Sequence, residues 1–255
     1  MNFLKNSLTV SFITLISRIT GYIRDIFFAN FLGTSLNSDI FIFALKIPIY
    51  IKTILFDNAF TSVLIPQIMI NNSKSLDKKS FFFISNLINI FLLIFFPVFI
   101  IFEIFMPQLL HLIAPGFFEF HNTDLFIQVT RIMFPYIFFI IINAFFIAIL
   151  NSGFKFAIAA GIQIIINLTF ITSLWLAYLF NLSYLIAASY AVVLGAILQT
   201  FILYMQIKKK YKLYFNFKIN PNKKTTFFFK KFLSSILIHG VVTINQFIGF
   251  TFATF

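Results

Sequence analysis

Seven charged side chains interrupt the first two long apolar stretches of the chain: Arg18, Arg24 and Asp25 in the first, Asp39, Lys46, Lys52 and Asp57 in the second. A charge at the centre of a membrane-spanning helix costs about 2.5 to 3.5 kcal/mol on insertion scales, so it normally faces protein or a wet cavity rather than lipid. Four of the seven are cations, and anion binding is the chemistry they suggest. Arg18 and Arg24 are the foremost candidates, because a guanidinium offers phosphate a planar fork of donors and stays charged when desolvated.

Successive helical residues turn by about 100°. Ser7, Ser11, Thr14, Arg18, Gly21 and Asp25 follow steps of three and four, which predicts one polar stripe along the first helix. Arg18 lies about 16 Å beyond Ser7, near the middle of a hydrocarbon core about 30 Å thick. Arg24 points about 120° away from Arg18, to the edge of the stripe or across to another helix. In the second stretch Asp39, Lys46, Tyr50, Thr53 and Asp57 share a face, with Lys52 off it. A short loop around Gly33-Thr34 joins the two stretches and can turn both polar faces toward one cavity. The competing reading is that the charges only pair: Arg24 with Asp25 or Asp39, Lys46 with Asp39 or Asp57. Their concentration in two adjacent helices favours the cavity.

The elements that must position these residues are membrane helices. With 60% hydrophobic residues, 10% charged residues and a mean hydropathy of +0.99, the chain has more apolar surface than a soluble core can bury. The fold class expected is an all-α polytopic membrane protein. Forty-two phenylalanines and a preference for Lys over Arg read as compositional bias. The net charge of +12 does not point to nucleic acid, since the lysines cluster in connections between apolar spans.

Spans of about 20 apolar residues fall near 7–32, 38–70, 80–106, 125–151, 156–180, 184–207 and 229–255. Pro48 and Pro66, with Asp57-Asn58 between them, predict a kinked or broken second helix. The connections 71–80, 152–155 and 208–231 carry lysines, whereas 33–37, 107–124 and 181–183 carry neither Lys nor Arg. By the positive-inside rule the N-terminus is cytoplasmic and six spans return the chain to that side. The organisation expected is a six-helix lobe over 1–207, a basic cytoplasmic linker over 208–228 and the start of a second lobe, a truncated seventh helix, over 229–255. Arg18 soon after the Leu8–Ile16 run, with no small-x-small site, argues that the first helix is retained rather than cleaved as a signal peptide.

The remaining polar residues carry weaker signals. Gln163 and Asn167 share a face of the fifth span, Asn86 and Asn89 mark the third, and Asn143 and Gln199 stand isolated; interhelical hydrogen bonds explain all of them. His111, His121 and His239 lack metal-ligand spacing, and no phosphate loop, nucleophile elbow or acidic cluster is present. Neither an enzyme nor a cofactor is expected.

The run Ser17-Arg18-Ile19-Thr20-Gly21-Tyr22-Ile23-Arg24-Asp25, Gly33, Ser38-Asp39-Ile40-Phe41 and Ala44-Leu45-Lys46-Ile47-Pro48 resembles the start of the MurJ/MviN lipid II flippases. Ala59-Phe60, Pro66, Ala114-Pro115-Gly116-Phe117, Phe134-Pro135-Tyr136 and Ala148-Ile149-Leu150-Asn151 follow in the family's order. The resemblance implies a member of the MOP exporter superfamily with two lobes around a cationic cavity. Such a protein moves an undecaprenyl-diphosphate-linked peptidoglycan precursor, lipid II, across the bacterial inner membrane by alternating access. It also implies that Arg18, Arg24, Lys46 and Lys52 line the diphosphate cavity, with Ser17, Asp25, Asp39 and Asp57 as polar or gating neighbours. Lys52 stands where the family usually has arginine, Asp57-Asn58 where it has Glu-Gly, and Ile49 where it has a polar residue. These departures alter the cavity's fine geometry but keep its sign.

Partners implied are lipid II and membrane lipids. At 255 residues the chain holds one lobe and most of a further helix, so it is expected to be incomplete alone. A fragment or decayed product, a second lobe on another chain, or two paired copies would each account for that length. An exporter of another polyprenyl-linked oligosaccharide, or a vestigial membrane protein whose charges only pair, are the alternatives.

Overall fold

The computed structural model describes residues 3–70, 78–120, 123–211, 219 and 222–252, and the described secondary structure is helical. In chain order the elements are α1 (Phe3–Phe31), α2 (Leu36–Lys52), a π-helical turn (Thr53–Asp57), α3 (Asn58–Ile70) and α4 (Lys78–Ile104). There follow α5 (Met106–Ile113), α6 (Pro115–Phe120), α7 (Thr123–Met133), α8 (Tyr136–Ser152), α9 (Phe156–Leu179), α10 (Tyr184–Tyr211) and α11 (Lys223–Phe252). Among the described residues four helices are long and apolar enough to cross a membrane: Ser80–Ile104, Thr123–Ser152, Phe156–Leu179 and Tyr184–Lys209.

The polypeptide turns from α1 into α2 at Gly33, whose φ of +61° is a left-handed conformation open to glycine. The Leu32 and Gly33 amides both donate to the Phe28 carbonyl and close the helix end. The irregularity expected in the second stretch lies between its two prolines, beside Asp57-Asn58. Helix continues through Pro48 and Pro66, and the irregularity is the π turn between them, ending at Asp57. A π turn closes i to i+5 hydrogen bonds and absorbs one extra residue without interrupting the helix. The 107–124 connection is largely helical, in α5 and α6, and the fourth span bends at Phe134-Pro135, where proline cannot donate to the preceding turn.

Two apolar clusters hold the bundle. One gathers Phe60, Leu64, Leu87, Phe91, Phe145, Leu150, Leu203 and Phe228 at the end bearing the basic connections. The other gathers Phe43, Met106, Leu110, Phe126, Phe134, Leu174 and Ala188 at the opposite end. Phenylalanine supplies much of both; the Phe60 ring lies 4.6 Å from that of Phe145, edge to face. Helix α10 reaches Tyr211 and α11 begins at Lys223, so helix enters the basic segment from both sides; 212–218 and 220–221 lie outside the described residues. Buried Phe228 and Phe232 seat α11 on the same core.

Asn143 and Gln199, isolated in sequence, are partners in space. The Asn143 amide donates to Gln199 at 3.5 Å, Gln199 donates to the Ile162 carbonyl at 3.0 Å, and the Thr200 hydroxyl donates to Asn143 at 2.9 Å. Three helices, α8, α9 and α10, are tied by this one network.

Candidate cationic site on the first two helices

Helix α1 packs along α9, whereas α2 packs against α7, α8 and α10. The two meet beside their shared loop, where the Phe28 and Phe41 rings lie 5.4 Å apart and both contact Phe170. Taking that contact as the reference and about 1.5 Å per residue, Arg24 and Lys46 sit about 6 to 8 Å from it along their helices. Arg18 and Lys52 sit about 15 to 17 Å from it. Counted along each helix from that contact, Arg24 on α1 and Lys46 on α2 therefore fall at one axial level, and Arg18 and Lys52 at a second.

Arg24 is the most constrained of them. Its Nε and Nη2 donate to Asp25 Oδ1 at 3.0 and 2.7 Å, and its Nη1 donates to Asn167 Oδ1 at 3.1 Å. Asn167, buried on α9, in turn donates through Nδ2 to the Ser17 carbonyl at 3.3 Å and to Thr20 Oγ1 at 3.2 Å. The Thr20 hydroxyl donates to the same Ser17 carbonyl at 2.9 Å. Gly21 faces the same amide: a Cβ there would lie 3.5 Å from Asn167 Nδ2, an ordinary van der Waals contact. Of the five guanidinium N–H groups these contacts use three, leaving one on each terminal nitrogen of a side chain that is 35% exposed. Donors left on a fixed guanidinium plane suit phosphate oxygens.

The expected stripe on α1 is divided by this contact. Ser17, Thr20, Gly21 and Arg24 address α9, while Ser7, Ser11, Arg18 and Asp25 are exposed. Arg18 makes no side-chain hydrogen bond or ion pair among the described residues. On α2, Asp39 is exposed and Lys46 half-buried.

Lys52 and Asp57 correct the sequence reading. They form an ion pair at 3.3 Å, although residues five apart on an α-helix lie about 140° apart around the axis and do not meet. The π turn closes five-residue steps and brings them onto one line. Asn167 is the site residue that sequence reasoning passed over as a structural amide. Its only signal was polarity in an apolar helix, and its partner Arg24 is 143 positions away.

Comparison with known proteins bears on the family of the chain. The family model for the lipid II flippase MurJ matches residues 28–255; Asp39, Lys46, Lys52 and Asp57 fall inside the match, and Arg18, Arg24 and Asp25 precede it. A probable lipid II flippase MurJ from Buchnera aphidicola subsp. Acyrthosiphon pisum is 34% identical over 223 residues, 86% of this chain and 42% of that protein. Its counterpart from Rickettsia prowazekii is 30% identical over 264 residues, 100% of this chain and 50% of the relative. A solved structure, "Lipid II flippase MurJ, inward closed conformation", superposes with a TM-score of 0.80 at 27% identity, over 97% of this chain and 51% of that one. The chain thus spans about half the length of the curated relatives it matches. With the family match covering all but the first 27 residues and the bundle superposing on a solved member, the chain belongs to the lipid II flippase MurJ family.

Proposed function

We propose that this chain is the lobe of a bacterial inner-membrane lipid II flippase that takes the lipid's diphosphate on Arg24 and Arg18, with Lys46 and Lys52 completing the two tiers. The observation that carries the reading is the Arg24 fork, held by Asp25 and Asn167 with two donors left over. A guanidinium preset in this way loses little side-chain freedom on binding phosphate. We further infer that α1, the α2–α3 stretch and α11 also cross the membrane, giving six spans over 1–207, a basic cytoplasmic connection over 208–228 and a seventh span beyond it. Alternating access requires a second bundle to move against this one, and the unmatched half of the relatives would hold it. Asp39 and Asp57 balance the cations and keep the cavity wet.

The test is translocation in cells depleted of their own flippase, with this chain expressed beside the carboxy-terminal half of a relative. Each charge-assisted hydrogen bond contributes about 1.5 to 3 kcal/mol, so Arg24→Ala should reduce translocation about tenfold or more while membrane insertion is unchanged. Arg18→Ala should do the same. Wild-type rates in both variants would sink the proposal. The pairing-only reading draws support from the Arg24–Asp25 and Lys52–Asp57 ion pairs. It expects the charge swap Arg24→Asp with Asp25→Arg to be tolerated, whereas diphosphate binding expects the swap to abolish transport.

A further inference from the structure

A second charged site lies away from these helices. At the end of the bundle remote from the basic connections, α7 and α10 border a cleft of about 320 Å³ lined by Asp124, Ile127, Gln128, Arg131, Ile132 and Tyr190. We propose that this cleft binds the headgroup of an aminophospholipid, a phosphate diester with a pendent ammonium, as distinct from the transported lipid.

Arg131 is the cation for the phosphate. Its side chain is 46% exposed, and its contacts are long: Nε lies 3.8 Å from the Glu103 carboxylate, and Nη2 donates to the Glu103 carbonyl at 3.3 Å. Both contacts come from one side, the end of α4, and leave the cleft side of the guanidinium available. Asp124, Gln128 and Arg131 recur at steps of four and three, so they share one face of α7. Asp124, in the first turn, is outermost. Arg131 is about 10 Å deeper along the axis. An arginine just below the headgroup layer extends its long stem outward to reach that layer. The face therefore presents an anion above a cation, the order needed for an ammonium that lies farther from the bilayer than its phosphate.

Tyr190 borders the cleft from α10, as aromatic residues with a polar tip do at membrane interfaces. Below it, Leu194, Ile197, Leu198 and Phe201 are exposed at helical steps of four, three, one and three, continuing one apolar stripe along which acyl chains can lie. Charge pattern, depth and tail path agree on a membrane phospholipid. Since the site uses none of the cations on α1 and α2, it stands whether or not the transport proposal does.

Native mass spectrometry of the purified full chain in detergent, titrated with phosphatidylethanolamine or phosphatidylglycerol, tests it. Phosphatidylethanolamine should bind about tenfold more tightly than phosphatidylglycerol. Arg131→Gln should weaken both by tenfold or more, and Asp124→Asn should remove the preference while keeping phosphatidylglycerol binding. Glu103→Gln, which frees the guanidinium, should retain or strengthen phosphatidylethanolamine binding and shows that loss in the other variants is not misfolding. Equal binding of the two lipids by the wild type, or unchanged binding by Arg131→Gln, overturns the proposal. Displacement of the lipid by millimolar inorganic phosphate also overturns it, in favour of a soluble anion.

Discussion

At the scale of single residues, Asn167 decides how Arg24 is used. The residue is 1% exposed, and its carboxamide makes hydrogen bonds to Arg24, the Ser17 carbonyl and Thr20. Interhelical hydrogen bonds in membrane proteins contribute about 0.6 kcal/mol each, so Asn167→Leu should cost about 2 kcal/mol, read as a lower unfolding midpoint in detergent. The substitution also releases Nη1 of Arg24, and binding of a lipid diphosphate should fall nearly as far as in Arg24→Ala. Asn167→Asp restores the acceptor and should recover most of that binding. Equal loss in the Leu and Asp variants would mean that Asn167 matters only for packing. Asp25 cannot substitute for it, because Asp25 is 65% exposed and grips the opposite edge of the guanidinium.

At the scale of elements, small residues set how closely helices approach. Gly195 of α10 faces α9 so tightly that a Cβ there would lie 2.5 Å from Thr169 Oγ1 and 3.2 Å from the Ile166 backbone. Gly195→Ala must therefore push the pair apart, at a cost of about 1 to 3 kcal/mol. Thermal denaturation of that variant, with Thr169→Ala added to relieve part of the clash, measures it; a neutral single variant would mean that the helices slide freely. Helix extents such as Phe156–Leu179 were legible from hydropathy within a few residues, because a span must be long and apolar. The π turn was not legible, since composition does not report which carbonyl an amide bonds, and Lys52 was assigned to the wrong face as a result. The α5 and α6 helices were hidden because their segment is too short and broken to read as a span. Asn143 and Gln199 looked isolated for the reason that Asn167 did: pairing across 56 residues leaves no local pattern.

At the scale of the whole molecule, orientation decides which leaflet the Arg131 cleft faces. The basic connections and the first apolar cluster lie at one end, and the Arg131 cleft lies at the other. The positive-inside rule puts the basic end in the cytoplasm. The sequence contains no cysteine, so a single introduced thiol can be labelled against no background. Lys155 and Leu182, both exposed, flank the apolar span Phe156–Leu179 at its two ends. In spheroplasts a membrane-impermeant maleimide should label Leu182→Cys at once and label Lys155→Cys only after permeabilisation. The reverse pattern would invert the topology, placing the Arg131 cleft in the inner leaflet and the basic connections outside. Labelling of both from the same side would show that α9 does not cross, and the antiparallel path that aligns the cation tiers of α1 and α2 would have to be redrawn. The two helices touch at Phe28 and Phe41, beside the loop on the outer side of this topology, and otherwise pack on different partners, α1 on α9 and α2 on α7, α8 and α10. A lipid diphosphate entering from the cytoplasmic leaflet would meet the Arg18 and Lys52 tier first and the Arg24 and Lys46 tier second, which makes Arg18 variants slow to load and Arg24 variants loaded but poorly held.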